Sequence, residues 1–104
     1  MDYDKTVAAE LDGVMRDIPD AKASKMFGMP AYKVNGKLAV GVFENSVTAK
    51  VGAERAQALI GSGEAGTFEP TPGRVWKDWI SVRGNLKGKR TLLEEAVRFV
   101  AQNG

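Results

Sequence analysis

The chain has 104 residues, 43% hydrophobic and 27% charged, the make-up of one ordinary globular domain with a single core. It contains no cysteine and no histidine, which excludes disulfides, thiolate metal sites and cysteine nucleophiles and removes the commonest metal ligand and the commonest general base at neutral pH. The net charge of +2 is small but uneven: residues 1–20 hold six acids against Lys5 and Arg16, whereas residues 74–90 hold Arg74, Lys77, Arg83, Lys87, Lys89 and Arg90 against Asp78 alone.

The first twenty residues read as an amphipathic helix. Val7, Leu11, Val14, Met15 and Ile18 share one stripe, Asp2 or Asp4 is placed to cap it, and Pro19-Asp20 ends it. Asp2 and Asp4 stand where a signal peptide would be basic, and no apolar run approaches the roughly 20 residues of a membrane span. Lys22 to Phe27 alternates weakly and is expected to be a first strand.

The stretch from Met26 to Val51 reads as an antiparallel meander. Gly28-Met29-Pro30 is expected to break regularity before a hairpin turned by Asn35-Gly36, a pair that tolerates the positive φ of a type I′ turn. In the run after it, Leu38, Val40 and Val42 are expected on one face and Ala39, Gly41 and Phe43 on the other. Both faces are apolar, as in a central strand, and Gly41 suggests a bulge or a close approach. A further strand places Val47, Ala49 and Val51 opposite Thr48 and Lys50.

Gly52 to Ile60 reads as a short helix stopped by Gly61, and Thr67-Phe68-Glu69 as a brief strand. Pro70 to Gly73 is a turn. Val75 to Val82 reads as a strand with Trp76, Asp78, Ile80 and Val82 on one face and Val75, Lys77, Trp79 and Ser81 on the other. After a basic loop, Thr91 and Glu94 have the spacing of a capping box for a last helix, with a stripe of Leu92, Leu93, Ala96, Val97 and Val100. The order helix, strands, helix, strands, helix implies an α+β two-layer sandwich, one domain over residues 1–104, with helices on one face of an antiparallel sheet.

Tyr32, Lys50, Arg74, Lys77 and Trp79 are the candidate ligand or interaction residues, and Arg83, Lys87, Lys89 and Arg90 continue a basic strip. Gly28 to Tyr32 could set the Tyr32 hydroxyl at a cleft, although a strand-to-strand bend is the simpler reading. Of the two tryptophans, expected on opposite faces, Trp79 is the one expected to be exposed, because it shares a face with Lys77. A strip of cations beside an aromatic suits anions or nucleic acid, yet so small a net charge favours the simpler reading of a solvated loop. Gly61 to Gly66 lacks the Lys-Ser/Thr of a phosphate loop. Glu94 and Glu95 do not make a catalytic pair, and no metal or cofactor site is expected. An enzyme would have to use Tyr32, Lys50 or Lys77 as acid or base.

Met26-Phe27-Gly28-Met29-Pro30-Ala31-Tyr32, Asn35-Gly36-Lys37, and Pro72-Gly73-Arg74 leading into Lys77-Asp78-Trp79-Ile80 resemble the N-terminal domain of TfoX/Sxy-type proteins over roughly residues 20 to 102. The resemblance implies an α+β fold related to YjbR-like and type III secretion chaperone-like domains. In longer members of that family this domain precedes a helical one tied to natural competence, and the present chain is expected to consist of the first domain alone. The expectation is therefore a non-enzymatic, cytoplasmic interaction module acting through a protein partner or as a homodimer. Anion or nucleic-acid binding through residues 74–90 is the alternative, and no membrane is involved.

Overall fold

The computed structural model describes residues 2–103. Helix α1 (Lys5–Met15) is followed by β1 (Lys22–Met26), β2 (Met29–Val34), β3 (Lys37–Phe43) and β4 (Ser46–Lys50). Helix α2 (Ala53–Ser62), β5 (Gly66–Thr67), β6 (Trp79–Val82) and α3 (Arg90–Asn103) complete the chain. The six strands form one antiparallel sheet in the order β1-β2-β3-β4-β6-β5. The expected α+β layering is what the structure shows.

All three helices pack on one face of the sheet. Leu11, Val14 and Met15 of α1, Ala56 and Leu59 of α2, and Leu93, Ala96, Val97 and Val100 of α3 join Tyr32, Val34, Val40, Val42, Val47, Ala49, Ile80 and Val82 of the strands in the main core. Each fully buried Val or Leu there is worth about 1.5–3 kcal/mol. The Asp4 carboxylate caps α1 by accepting from the Thr6 and Val7 amides, so of the two expected caps it is Asp4 that acts. The helix stops at Met15, before the expected Pro19, and residues 17–20 turn toward β1.

Several local expectations are corrected. A β-bulge shifts the β2–β3 register between Tyr32 and Lys33: Tyr32 pairs with Val40 but Lys33 with Leu38, leaving Ala39 without a partner. The extra residue inverts the alternation, so Ala39 enters the helix-side core with Val40 while Leu38 turns to the opposite face with Phe43. The break expected over Gly28-Met29-Pro30 is only the two-residue turn Phe27-Gly28, and Met29 and Pro30 already pair with Met26 and Lys25. Helix α2 runs through Gly61 and ends at Gly63, whose φ of 83° suits a left-handed cap. Thr91 does not cap α3. A 3-10 turn at Lys87–Lys89 leads into it, Arg90 is already helical, and Glu94 instead accepts from Arg90 Nε at 3.5 Å.

The other face of the sheet is governed by a row of small residues. Ser24, Ala31, Gly41, Thr48, Ser81 and Gly66 follow one another across all six strands, each paired with the next. Gly41 meets the expectation of a close approach. A Cβ there would lie 3.0 Å from Met26 Cε and 3.3 Å from Ala31 Cβ. The buried Thr48 hydroxyl donates to the Ile80 carbonyl at 2.8 Å and is thereby satisfied.

Gly52, at φ 93°, joins β4 to α2, and a Cβ on it would come within 2.7 Å of the Phe99 ring of α3. Gly52→Ala combines a strained φ with a clash against a packed ring. It is expected to lower stability by about 1–3 kcal/mol, read as a drop in the urea midpoint without a change in slope.

Candidate functional site

The helix-free face carries a second, aromatic cluster. Met26, Ala31, Phe68 and Trp79 are buried there, and Leu38, Phe43 and Trp76 are partly covered. Phe68 sits in edge-to-face contact with Phe43 and Trp76, both at 5.2 Å, and Phe27 reaches Phe43 at 5.8 Å and Trp76 at 5.7 Å. The rings are brought over the sheet by a flap, residues 68–78. The Trp76 amide donates to the Phe68 carbonyl, and Thr71 and Arg74 form an isolated bridge around Pro72-Gly73.

The flap corrects the expected long strand. Only Trp79–Val82 is paired, and the Trp79 amide donates to the Trp76 carbonyl in a tight turn. That turn cancels strand alternation, so both tryptophans fall on one side, 5.5 Å apart. Trp79, expected to be the exposed one, is 7% exposed, while Trp76 is half-buried. The Asp78 carbonyl accepts from both the Val51 and Gly52 amides, at 2.9 and 3.0 Å. This ties the turn to the start of α2. Beside it, Ala56, Ile60, Val75, Trp76, Lys77 and Trp79 line a groove between α2 and the flap.

Phe27 is the residue that linear patterning missed. It is 45% exposed and has φ 55°, followed by Gly28 at 76°. The second hairpin has the same pair of positive angles, 52° and 80°, but fills them with Asn35-Gly36. Asn accepts the left-handed region readily; a bulky residue there is strained by about 1–3 kcal/mol. The chain thus uses the favourable residue at one turn and a strained aromatic at its twin. Only the two φ values, not the sequence, mark this out.

Tyr32 does not belong to this face. It lies 7% exposed on the helix side, and its hydroxyl donates to Asp12 Oδ1 at 3.0 Å. Burial first, then the bond to the Asp12 carboxylate, pushes its ionisation well above the ordinary tyrosine range. Asp12, bonded by Arg16 and Tyr32, is held below the ordinary carboxylate range. Of the other candidates, Lys50 pairs across the sheet with Trp79 on the helix-free side, and Lys77 and Arg74 stand on the flap. The basic strip divides. Leu86, within it, packs into the helix-side core; Lys87 lines a groove with α1; Lys89 Nζ donates to the Gly84 carbonyl; and Arg90 pairs with Asp17 and Glu94. Arg74 and Lys77 therefore do not form one surface with Lys87, Lys89 and Arg90.

Charge is instead layered. None of the 13 acids lies in a strand, whereas the strands carry Lys22, Lys25, Lys33, Lys37 and Lys50. Every salt bridge among the described residues belongs to Arg16, Arg55 or Arg90, and no strand lysine takes part in one. No group of three or more Asp or Glu residues able to hold a metal occurs among the described residues. Comparison with family models, with curated proteins and with solved structures finds no match to this chain.

Tyr32→Phe is expected to lower stability at neutral pH by about 1 kcal/mol, the worth of one hydrogen bond. Because the fold raises the Tyr32 ionisation above its unfolded value of about 10, its contribution is full below that pH and falls as the pH rises further. Urea titrations across the alkaline range should show this decline in the native chain and a flatter limb in the variant.

Proposed function

We propose that this protein is a non-enzymatic interaction module of the TfoX N-terminal type, working in the cytoplasm, whose binding surface is the helix-free sheet face around Phe27. The observation that carries the reading is the solvent-exposed Phe27 ring held at φ 55°. A strained aromatic on the surface, beside half-buried Phe43 and Trp76, has the character of an interface anchor. The resemblance supports the same surface: Met26-Phe27-Gly28, Pro72-Gly73-Arg74 and Lys77-Asp78-Trp79 are the hairpin turn, the flap tip and the tryptophan turn that frame it.

The chemistry of the remaining candidates fits binding better than catalysis. Tyr32 is occupied by Asp12 on the far side of the sheet from Lys50 and Trp79, so the groups an acid–base enzyme would need do not converge. Of the alternative reading, anion binding along residues 74–90, Arg74 and Lys77 stand on the flap, and Lys22, Lys33 and Lys50 of the strands lie on the same side of the sheet.

Phe27→Asn tests the reading, since it creates the favoured Asn-Gly turn while removing the ring. Stability is expected to change by less than about 1 kcal/mol, the gain in the turn offsetting lost ring contacts. The variant should lose what the native chain captures from lysate of its source cells, whereas Arg98→Gln on α3 should not. Retained capture in Phe27→Asn, or turnover of a metabolite in an unbiased screen, would count against the module.

A further inference from the structure

We infer that the helix-free face takes a single-stranded nucleic acid, with Lys22, Lys33, Lys50 and Lys77 toward the phosphates and the Phe27 ring toward a base. This rests on the reading of that face as the working surface and names its partner. Strand alternation and register put Lys22, Lys33 and Lys50 on the side of Ala31, Leu38 and Trp79, away from the helices. Lys77 lines the neighbouring groove.

Two observations set these lysines apart from ordinary solubilising charge. Lys22 and Lys33 are directly opposite each other on β1 and β2, an arrangement that like charges disfavour and that no salt bridge within the described residues relieves. Solubility alone would be served as well by mixing signs, yet the strands contain no acid at all. Asp20, in the turn before β1, is the acid in the cleft that Lys22, Ser24 and Lys33 line at the β1 edge, where Ala101 of α3 closes its helix side.

The co-occurrence of rings and cations selects the ligand class. Every nucleotide presents an anion and a π-face together, whatever its base, and a single strand leaves that face free; a duplex hides it in the stack. An acidic peptide supplies carboxylates but no obligatory ring. From Lys22 to Met26 is about 13 Å along β1, so Lys22, its cross-strand partner Lys33 and Phe27 lie within the span of a few nucleotides.

The test is fluorescence anisotropy with labelled oligothymidylate and oligouridylate of about 15 nucleotides, over a salt series. The native chain should bind, and weaken steeply with salt. Combining Lys22→Gln, Lys33→Gln and Lys50→Gln should lower affinity at least about tenfold and flatten the log–log salt slope by about 2, at roughly 0.7 per lost phosphate contact. The same three changed to Arg should keep binding. Phe27→Asn should weaken it, and Lys87→Gln with Arg98→Gln on the helix layer should not. Circular dichroism and melting of each variant show that the fold is kept.

Absence of binding at low salt overturns the inference, and so does equal affinity for a duplex or for poly-glutamate of matched charge. If binding fails while Phe27→Asn still abolishes capture from lysate, the partner class is wrong and the surface stands. If oligonucleotide binding is lost only in the helix-layer variant, and capture survives Phe27→Asn, both fall.

Discussion

The aromatic layer exists because of what lies under it. Ser24, Ala31, Gly41, Thr48, Ser81 and Gly66 form a low track across the sheet, and no side chain larger than threonine stands in it. Met26 can then lie close to Gly41, and the rings of Phe68 and Trp79 join Met26 and Ala31 in one buried cluster. Without that track the flap would have no seat, and Phe43 and Trp76 would lose the Phe68 ring that both abut at 5.2 Å. Protein interiors are close-packed, so even one added methyl at Gly41 would have to displace Met26 or Ala31.

The sheet therefore separates two different kinds of packing. Its helix side is largely aliphatic, drawn from all three helices, and holds at its periphery the ion pairs found among the described residues. Its other side is aromatic, covered by a loop rather than by helices, and bordered by cations without partners among the described residues. A solvated ion pair at the helix layer is worth little, about 0–1 kcal/mol. Lys22, Lys33 and Lys50, on the helix-free side, shape the potential that an approaching polyanion meets there.

What could be read from the sequence follows the range of the interaction responsible. Asn35-Gly36, the stripe of α3 and the alternation of Val47, Ala49 and Val51 are set by neighbours within a turn or two, and they stand in the structure where the pattern puts them. The face of Leu38 was not legible, because a single bulge opposite Tyr32 reverses it and nothing local distinguishes Ala39 from its neighbours. Nor was the flap: its residues are placed by Phe27 and Phe43, far away in the chain, so an alternating run from Val75 to Val82 folds as a turn and then a short strand. The candidate site suffered most. Windows along the chain joined Arg74 and Lys77 to Lys87 and Arg90, whereas grouping the charges of the whole chain by strand singles out a different set, the lysines of a sheet that holds no acid.

The Asp78 carbonyl, which accepts from Val51 and Gly52 at once, makes a mechanical junction between the two sides of the molecule. One acceptor serves the exit of β4, the entry of α2 and the corner that orients both indoles. Gly52 also lies under the Phe99 ring, so α3 bears on the same joint. Lifting the corner would strip two amides of their acceptor in a single movement. The flap and the helical layer consequently share one hinge pin, and the indoles cannot be re-aimed while the rest of the framework stays at rest.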